Sequence, residues 1–246
     1  KVTMVDPFVG GGIISLTTAF EGLAKKVIMV ELDAEVAADW ETIVNEGEGE
    51  WLANEIMNFE LSVESAKRII GQDKEKVSVK ERAFVTVLKN RVNHGGILTA
   101  GTGMLKHGEN GKGILSRWYP QTLKKRIENI SLVRHKIDFI EGDAFETIDK
   151  YKDKKEVAFF IDPPYTKSGN RLYNHFDLDD ELLIKKLSKV EGSFLITYDN
   201  TDEVAGWAEK YGLDYRLVPM KTTHHITKYE IVISDNFDWL DESQTK

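Results

Sequence analysis

The stretch Val2-Thr3-Met4-Val5-Asp6-Pro7-Phe8-Val9-Gly10-Gly11-Gly12 decides the fold. Val2–Val5 is a short apolar run, and Asp6-Pro7 ends it. The glycines Gly10, Gly11 and Gly12 follow, and Ile13 to Glu21 then reads as a helix. Val27–Val30 is a second buried strand, closed by the acid Glu31, and helical patterning resumes over Ala34–Val44. A strand, a glycine turn, a helix and a second strand within about thirty residues open a nucleotide-binding α/β sheet.

Outward from that unit, helices are expected around Glu48–Met57, Ser62–Ile70 and Val79–Val92. His94–Ser116 differs: it holds seven glycines and reads as a mobile loop, longer than structureless loops usually are. Pro120 starts a helix through Ile130, with proline near the first turn. Strands then return at Lys136–Ile140, Glu156–Ile161 and Ser193–Thr197, alternating with helices at Asp179–Lys189 and Thr201–Tyr211. Leu213–Val218 and Tyr229–Ser234 read as a closing antiparallel pair. The expected fold is α/β: a Rossmann-like, mostly parallel sheet closed by an antiparallel hairpin. Residues 1–45 and 136–246 form one discontinuous sheet domain, and 46–135 are a largely helical insert.

The 246 residues suffice for one large domain with an elaboration. A fold of that size hides about 70–75% of its unfolded surface. Hydrophobic residues are 41% and charged residues 30%, which excludes a disordered or fibrous chain. No apolar run approaches the ~20 residues of a membrane span, and no signal peptide opens the sequence. Cysteine is absent, which excludes a disulfide scaffold, a Cys-ligated metal and thiol catalysis. A reducing cytoplasm is compatible with that. The expected setting is cytoplasmic, in a bacterium, an archaeon or a phage-infected cell.

A net charge of −8 argues against a polyanionic partner until its distribution is read. Lys80 to Lys136 carries twelve Lys and Arg against Glu81, Glu109 and Glu128, so this segment nets +9 and the remainder −17. A basic segment on an acidic body is a plausible footprint for nucleic acid; a solvated helical face fits the same numbers. Within it, Arg91 and Asn93 are candidates for phosphates or base edges, since Arg reads guanine and Asn reads adenine. Lys124 is a third candidate, and Trp118 and Tyr119 could wedge or stack. His224 and His225 have no third ligand at metal spacing, so no metal is expected.

Four expected strand ends carry acids before turns: Asp6, Glu31, Asp143 and Asp162. Ligands of open parallel sheets sit just beyond the carboxyl ends of the strands. An acid after the second strand suits the two hydroxyls of a ribose, and one after the third can accept from an adenine amine. Gly12 precedes Glu31 by nineteen positions, at the spacing of an adenosine-binding unit. The glycine turn lacks the Lys-Ser/Thr of a P-loop and a third glycine at dinucleotide spacing.

Asp162-Pro163-Pro164-Tyr165 closes the most apolar strand. The prolines stiffen the turn and have no N–H to donate. Their carbonyls and the Asp162 carboxylate form a cluster of acceptors, which suits an –NH2 group. Tyr165 offers a flat ring. The implied substrate is a planar heterocycle with an exocyclic amine.

Asp6-Pro7-Phe8-Val9-Gly10-Gly11-Gly12 together with Asp162-Pro163-Pro164-Tyr165 resembles the amino-methylating DNA methyltransferases, specifically the Dam-like D12 class of N6-adenine enzymes in the alpha arrangement. Gly142-Asp143-Ala144-Phe145 matches a third motif of that class, and Tyr173 and Phe176 fit the segment after the catalytic turn. The long interval from Glu31 to Asp143 holds the target-recognition insert. The resemblance implies S-adenosyl-L-methionine as cofactor. It places Asp6, Pro7, Phe8, Gly10 and Gly12 along the methionine half, Glu31 on the ribose, and Asp143, Ala144 and Phe145 at the adenine. It makes Asp162, Pro163, Pro164 and Tyr165 catalytic; Tyr173, beside Arg91, Asn93 and Lys124 of the basic segment, is a candidate for DNA contact. It also implies double-stranded DNA as partner, base flipping, and a cognate restriction endonuclease for members in restriction–modification systems. The class carries an N-terminal Gly-Lys segment that nothing before Lys1 matches, so truncation or supply by another chain is expected. Two other readings stand beside this one: an RNA base methyltransferase, and an inactive DNA-binding or specificity subunit.

Overall fold

A computed structural model describes residues 1–73, 75–99, 101–164, 178–221 and 227–238. Seven strands form one sheet in the order β3-β2-β1-β4-β5-β7-β6. They are β1 (Thr3–Asp6), β2 (Lys26–Glu31), β3 (Ile137–Glu141), β4 (Val157–Ile161), β5 (Ser193–Asp199), β6 (Asp214–Lys221) and β7 (Thr227–Ser234). β1 runs parallel to β2 and β4, with Met4 beside Val27 and Ala158, and β4 runs parallel to β5. β7 reverses the direction, pairing antiparallel with both β5 and β6. The mostly parallel sheet with a closing hairpin is the architecture expected from the sequence.

Residue patterning accounts for the strands. Val27, Ile28, Met29 and Val30 are buried without alternation, as in a strand covered on both faces. β5 alternates instead: Phe194, Ile196 and Tyr198 are buried, while Leu195, Thr197 and Asp199 are half-exposed on the other face. That period of two separates Thr197 and Asp199 from the core.

The chain packs as two compact units. The described residues 1–30 and those after 141 make one, and 31–141 make the other. The first holds α1 (Ile13–Phe20) and α7 (Ala144–Tyr151), followed by α8 (Asp180–Leu187) and α9 (Asp202–Lys210). The helix after Asp143 was not expected from the sequence.

The second unit holds α2 (Ala34–Trp40), α3 (Gly49–Asn58), α4 (Val63–Ile70), α5 (Val79–Val92) and α6 (Pro120–Val133). Leu52, Ala53 and Ile56 of α3 meet Ala83 and Phe84 of α5 and Leu123 and Ile127 of α6 in one core cluster. Phe59 stands edge-on to Phe84 at 5.2 Å and to Trp118 at 6.0 Å between ring centres. Ser78 and Glu81 form a capping box that starts α5.

Two expectations change here. The helix expected over Ala34–Val44 stays α-helical only to Trp40 and widens into a π turn at Glu41–Asn45. Asn45 in that turn donates through Nδ2 to the Phe139 carbonyl at 3.1 Å. The glycine-rich stretch is not structureless. Asn93 and Met104 form an antiparallel bridge, His94 N–H donates to Gly103, and Leu105 N–H donates to Val92. Ile114 is buried against Leu88 and Val92, and Met104, Leu105 and Trp118 pack on the same cluster. The apolar residues spaced between the glycines anchor the stretch. Trp118 is therefore part of a core and not a stacking wedge.

Candidate functional site

The first unit carries the turn after β1. Asp6 is 3% exposed, and its Oδ2 accepts from Ser15 Oγ at 2.7 Å. This bond ties the strand end to the first turn of α1, and nothing in the local sequence pattern announces Ser15. Pro7 is buried and Phe8 half-buried. Gly10 and Gly12 have φ of 45° and 66°, left-handed values that favour glycine. Gly12 N–H closes the turn onto the Val9 carbonyl at 2.7 Å. Among the described residues beyond its chain neighbours, a Cβ built on Gly10 or Gly11 meets no atom within 4 Å. The backbone is thus approachable along the turn.

Asp143 follows β3 and caps α7. Its Oδ1 accepts from the N–H groups of Phe145 at 2.8 Å and Glu146 at 3.1 Å. Half of the carboxylate is used by the helix, and Oδ2 is left for a donor from outside it. Ala144 is buried and Phe145 half-buried beside it.

Asp162 is the first residue beyond β4, and it is exposed. Its Oδ1 accepts from the Thr197 hydroxyl at 2.7 Å. The strand-end acid is therefore held by the neighbouring strand. Pro163 is buried and Pro164 half-buried. Tyr165 and Tyr173 lie outside the described residues, as do His224 and His225.

Two further acids reach the same corner. Asp199 and Glu230 are register partners across β5 and β7. Burial, and then the charges of Asp162 and Asp199, push the Glu230 carboxyl above the usual range. Three carboxyl groups and a threonine thus face the end of β4, a surroundings that favours a donor of protons. Glu230 was not identified from the sequence, because its proximity depends on the β5–β7 register. Behind this face, the buried Tyr198 hydroxyl donates to Asp180 Oδ1 at 2.7 Å.

In the second unit, Glu31 closes β2 and is half-exposed. Its Oε1 accepts from Asp33 N–H at 2.9 Å. Asp33 in turn caps α2. The local chain fixes the Glu31 side chain without burying it.

The basic segment in the same unit is not one uniform surface. Lys89 is buried, and both Glu35 oxygens accept from it, at 3.0 and 2.8 Å. Lys80 pairs with Glu48 at 3.7 Å and lies over the Trp51 ring. Arg134 donates to the Val44 carbonyl. Lys124 is half-exposed and pairs with Glu128 at 3.6 Å. Asn93 departs from its expected role as a base-edge reader: it is 6% exposed, and Nδ2 donates to the Ile97 carbonyl at 2.9 Å. The bridge at Asn93 pulls its amide into the loop. Arg91 is half-buried, and Arg126 on α6 is exposed.

The strand order, with β7 reversed beside β5, identifies the architecture. It is a Rossmann-like, mostly parallel α/β sheet closed by an antiparallel hairpin. No protein-family model matches the chain, and no curated protein matches it. Several solved structures are distantly similar to the chain. The rRNA methyltransferase AviRa from Streptomyces viridochromogenes is 14% identical at a TM-score of 0.40, over 95% of this chain and 75% of that one. The precorrin-6y C5,15-methyltransferase from Geobacter metallireducens is 11% identical at 0.40, over 95% and 79%. The SMU.1697c protein from Streptococcus mutans, in complex with SAH, is 12% identical at 0.34, over 95% and 86%. Among the described residues no helix is long and apolar enough to cross a membrane, and no cluster of His, Asp and Glu could hold a metal ion.

Proposed function

We propose that this protein transfers a methyl group from S-adenosylmethionine to the N6 amine of adenine in double-stranded DNA. The carrying observation is Asp162, fixed by Thr197 at the head of a Pro-Pro turn beyond β4.

The residues present fit the cofactor. The open backbone at Gly10 and Gly11 admits close approach of a ligand. Glu31 supplies a carboxylate for two ribose hydroxyls, and Asp143 Oδ2 supplies an acceptor for an adenine amine. When bound, the cofactor supplies an activated methyl on a sulfonium.

The chain's own task is then to bind and polarise the target amine. A base inside a duplex cannot reach a methyl donor held in the protein, so it must be flipped out at a cost of a few kcal/mol. The N6 lone pair is delocalised into the ring and is a poor nucleophile. Asp162 and the Pro163 carbonyl accept the N6 hydrogens, which favours the localised, tetrahedral amine of the transition state. Thr197 occupies one face of the Asp162 carboxylate and so restricts which lone pairs aim at the base. In-line placement contributes the rest of the acceleration.

The test offers the protein tritiated S-adenosylmethionine with unmethylated plasmid DNA or total RNA, and identifies the labelled nucleoside by chromatography. N6-methyldeoxyadenosine is the expected product. Label confined to RNA would move the reading to an RNA base. Cofactor binding with no label in either would leave a binding module. A cognate restriction endonuclease, if one exists, would cut the same sequence in unmethylated DNA only.

A further inference from the structure

Among the described residues, none of the arginines of the second unit pairs with a carboxylate, and three of them concern the end of α5. Arg91 ends α5, Arg117 ends the 3-10 turn at Gly113–Arg117, and Arg126 lies on α6. They come from three separate elements that pack within the same unit. α5 and α6 share one core through Phe84, Leu123 and Ile127, while Ile114 of the turn packs on Leu88 and Val92 of α5. Arg117 Nη1 donates to the Asn93 carbonyl at 3.4 Å, two residues beyond Arg91. Its Nη2 would stand 3.1 Å from a Cβ on Gly96, so Arg117 lies across the start of the glycine-rich stretch.

The electrostatic state of this group is costly. Arg91 Nε is buried and has no hydrogen-bond partner among the described residues. Burial, and then the charges of Arg117 and Arg126, hold the Arg91 guanidinium below its ordinary range. Three lysines of the segment are compensated: Lys89 has Glu35, Lys124 has Glu128, and Lys80 has Glu48. A half-buried guanidinium without a counter-charge is less stable than a paired one, so an anion that docked here would recover part of that cost. The planar fork of arginine matches phosphate oxygens two at a time.

We propose that Arg91, Arg117 and Arg126 form a clamp for the phosphodiester backbone of the nucleic-acid substrate. The proposal rests on the reading of the protein as a nucleic-acid methyltransferase. It separates this trio from Lys89, whose buried pair with Glu35 belongs to the fold, and gives the three arginines the substrate strand. Arg91 thereby takes a phosphate-binding role. The clamp carries no sequence information, because phosphate contacts are the same on every sequence.

The experiment measures binding of the full chain by fluorescence anisotropy across a salt series, using a 20-base-pair DNA duplex and a 20-nucleotide RNA as probes. The variants are Arg91→Gln, Arg117→Gln and Arg126→Gln, with Lys155→Gln as an exposed control on the other unit. Each arginine variant should weaken binding about tenfold and lower the slope of log affinity against log salt by about 1, equally for unrelated sequences. The control should match wild type. The probe that shows the loss identifies the strand as DNA or RNA. Arginine variants with wild-type affinity and slope on both probes would overturn the clamp. A loss that depends on sequence would also overturn it, in favour of base reading.

Thermal melting checks the fold. Removing one of three repelling charges should leave the melting temperature unchanged or higher. If Arg117→Gln melts early through loss of its bond to Asn93, the exposed Arg126→Gln still carries the test. Wild type that transfers methyl groups while the variants bind unchanged would remove the clamp and keep the reaction. Wild type that binds through the arginines and transfers nothing would do the reverse.

Discussion

The Thr197 hydroxyl stands 2.7 Å from Asp162 Oδ1 and donates to it across neighbouring parallel strands. The bond joins a β5 residue on the solvent-facing side to the acid at the end of β4. It converts a flexible strand-end carboxylate into a positioned acceptor, and preorganised acceptors contribute most where charge develops.

Asp162→Ala is expected to lower turnover by about 10²-fold or more, with cofactor affinity nearly unchanged. Thr197→Val, which keeps shape and removes the donor, should lower turnover by about tenfold, the scale of one hydrogen bond to a charged group. The check is turnover with a tritiated methyl donor beside calorimetry for cofactor binding. An active Asp162→Ala protein would remove Asp162 from the reaction.

Glu31→Ala should weaken S-adenosylmethionine binding before it affects anything else. Charged hydrogen bonds are worth about 1.5–3 kcal/mol each, so a loss on the order of ten- to a hundredfold is expected. Asp143→Asn is the paired probe. Its amide oxygen can still cap α7, while the other carboxylate oxygen becomes a donor facing the cofactor amine. Retained helicity by circular dichroism with reduced affinity by calorimetry is the expected combination.

Lys89→Met should destabilise the fold by about 3–5 kcal/mol, because it strands the buried Glu35 carboxylate. Adding Glu35→Gln should recover much of that loss. Urea unfolding of the two single variants and the double variant measures the coupling. Additive losses would mean that the pair is not coupled.

Asp39 carries the clearest pH signature. Burial, and then the nearby Glu35 charge, raise its carboxyl well above the usual range, and Oδ1 is buried without a hydrogen bond. A raised carboxyl disfavours the charged form in the folded state. Its contribution to stability is therefore present below the ordinary Asp range and is lost as pH rises through the folded value. Asp39→Asn should raise the melting temperature at neutral pH, by about 2–4 °C if neutralisation is worth about 1 kcal/mol. The gain should fade on acidification. Melting curves from pH 4 to about pH 8 check the sign.

The sequence by itself determined the sheet. The buried run Val27–Val30, the glycine turn at Gly10–Gly12 and the strand-end acids are local patterns, and each strand lies within a few residues of where hydrophobic periodicity places it. Asp162-Pro163-Pro164 was legible for the same reason: a turn motif depends only on its own residues. The π turn at Glu41–Asn45 was not, because α-helical spacing continues through it and the widening serves a contact with Phe139, ninety-four positions away from Asn45.

Tertiary structure alone decided which charges are available. Lys89 and Arg91 are two positions apart on one helix, yet Lys89 turns into a buried pair with Glu35 while Arg91 stays half-buried with its Nε unpartnered among the described residues. Asn93 and Trp118 are polar and aromatic candidates in sequence, and packing of the glycine-rich stretch buries Asn93 and lays Trp118 against a core cluster. Thr197 and Glu230 join Asp162 only through strand register. Periodicity reports which face a residue occupies within its own element. Which partner waits on that face is set by elements distant in sequence, and it is those partners that separate a structural cation from a binding one.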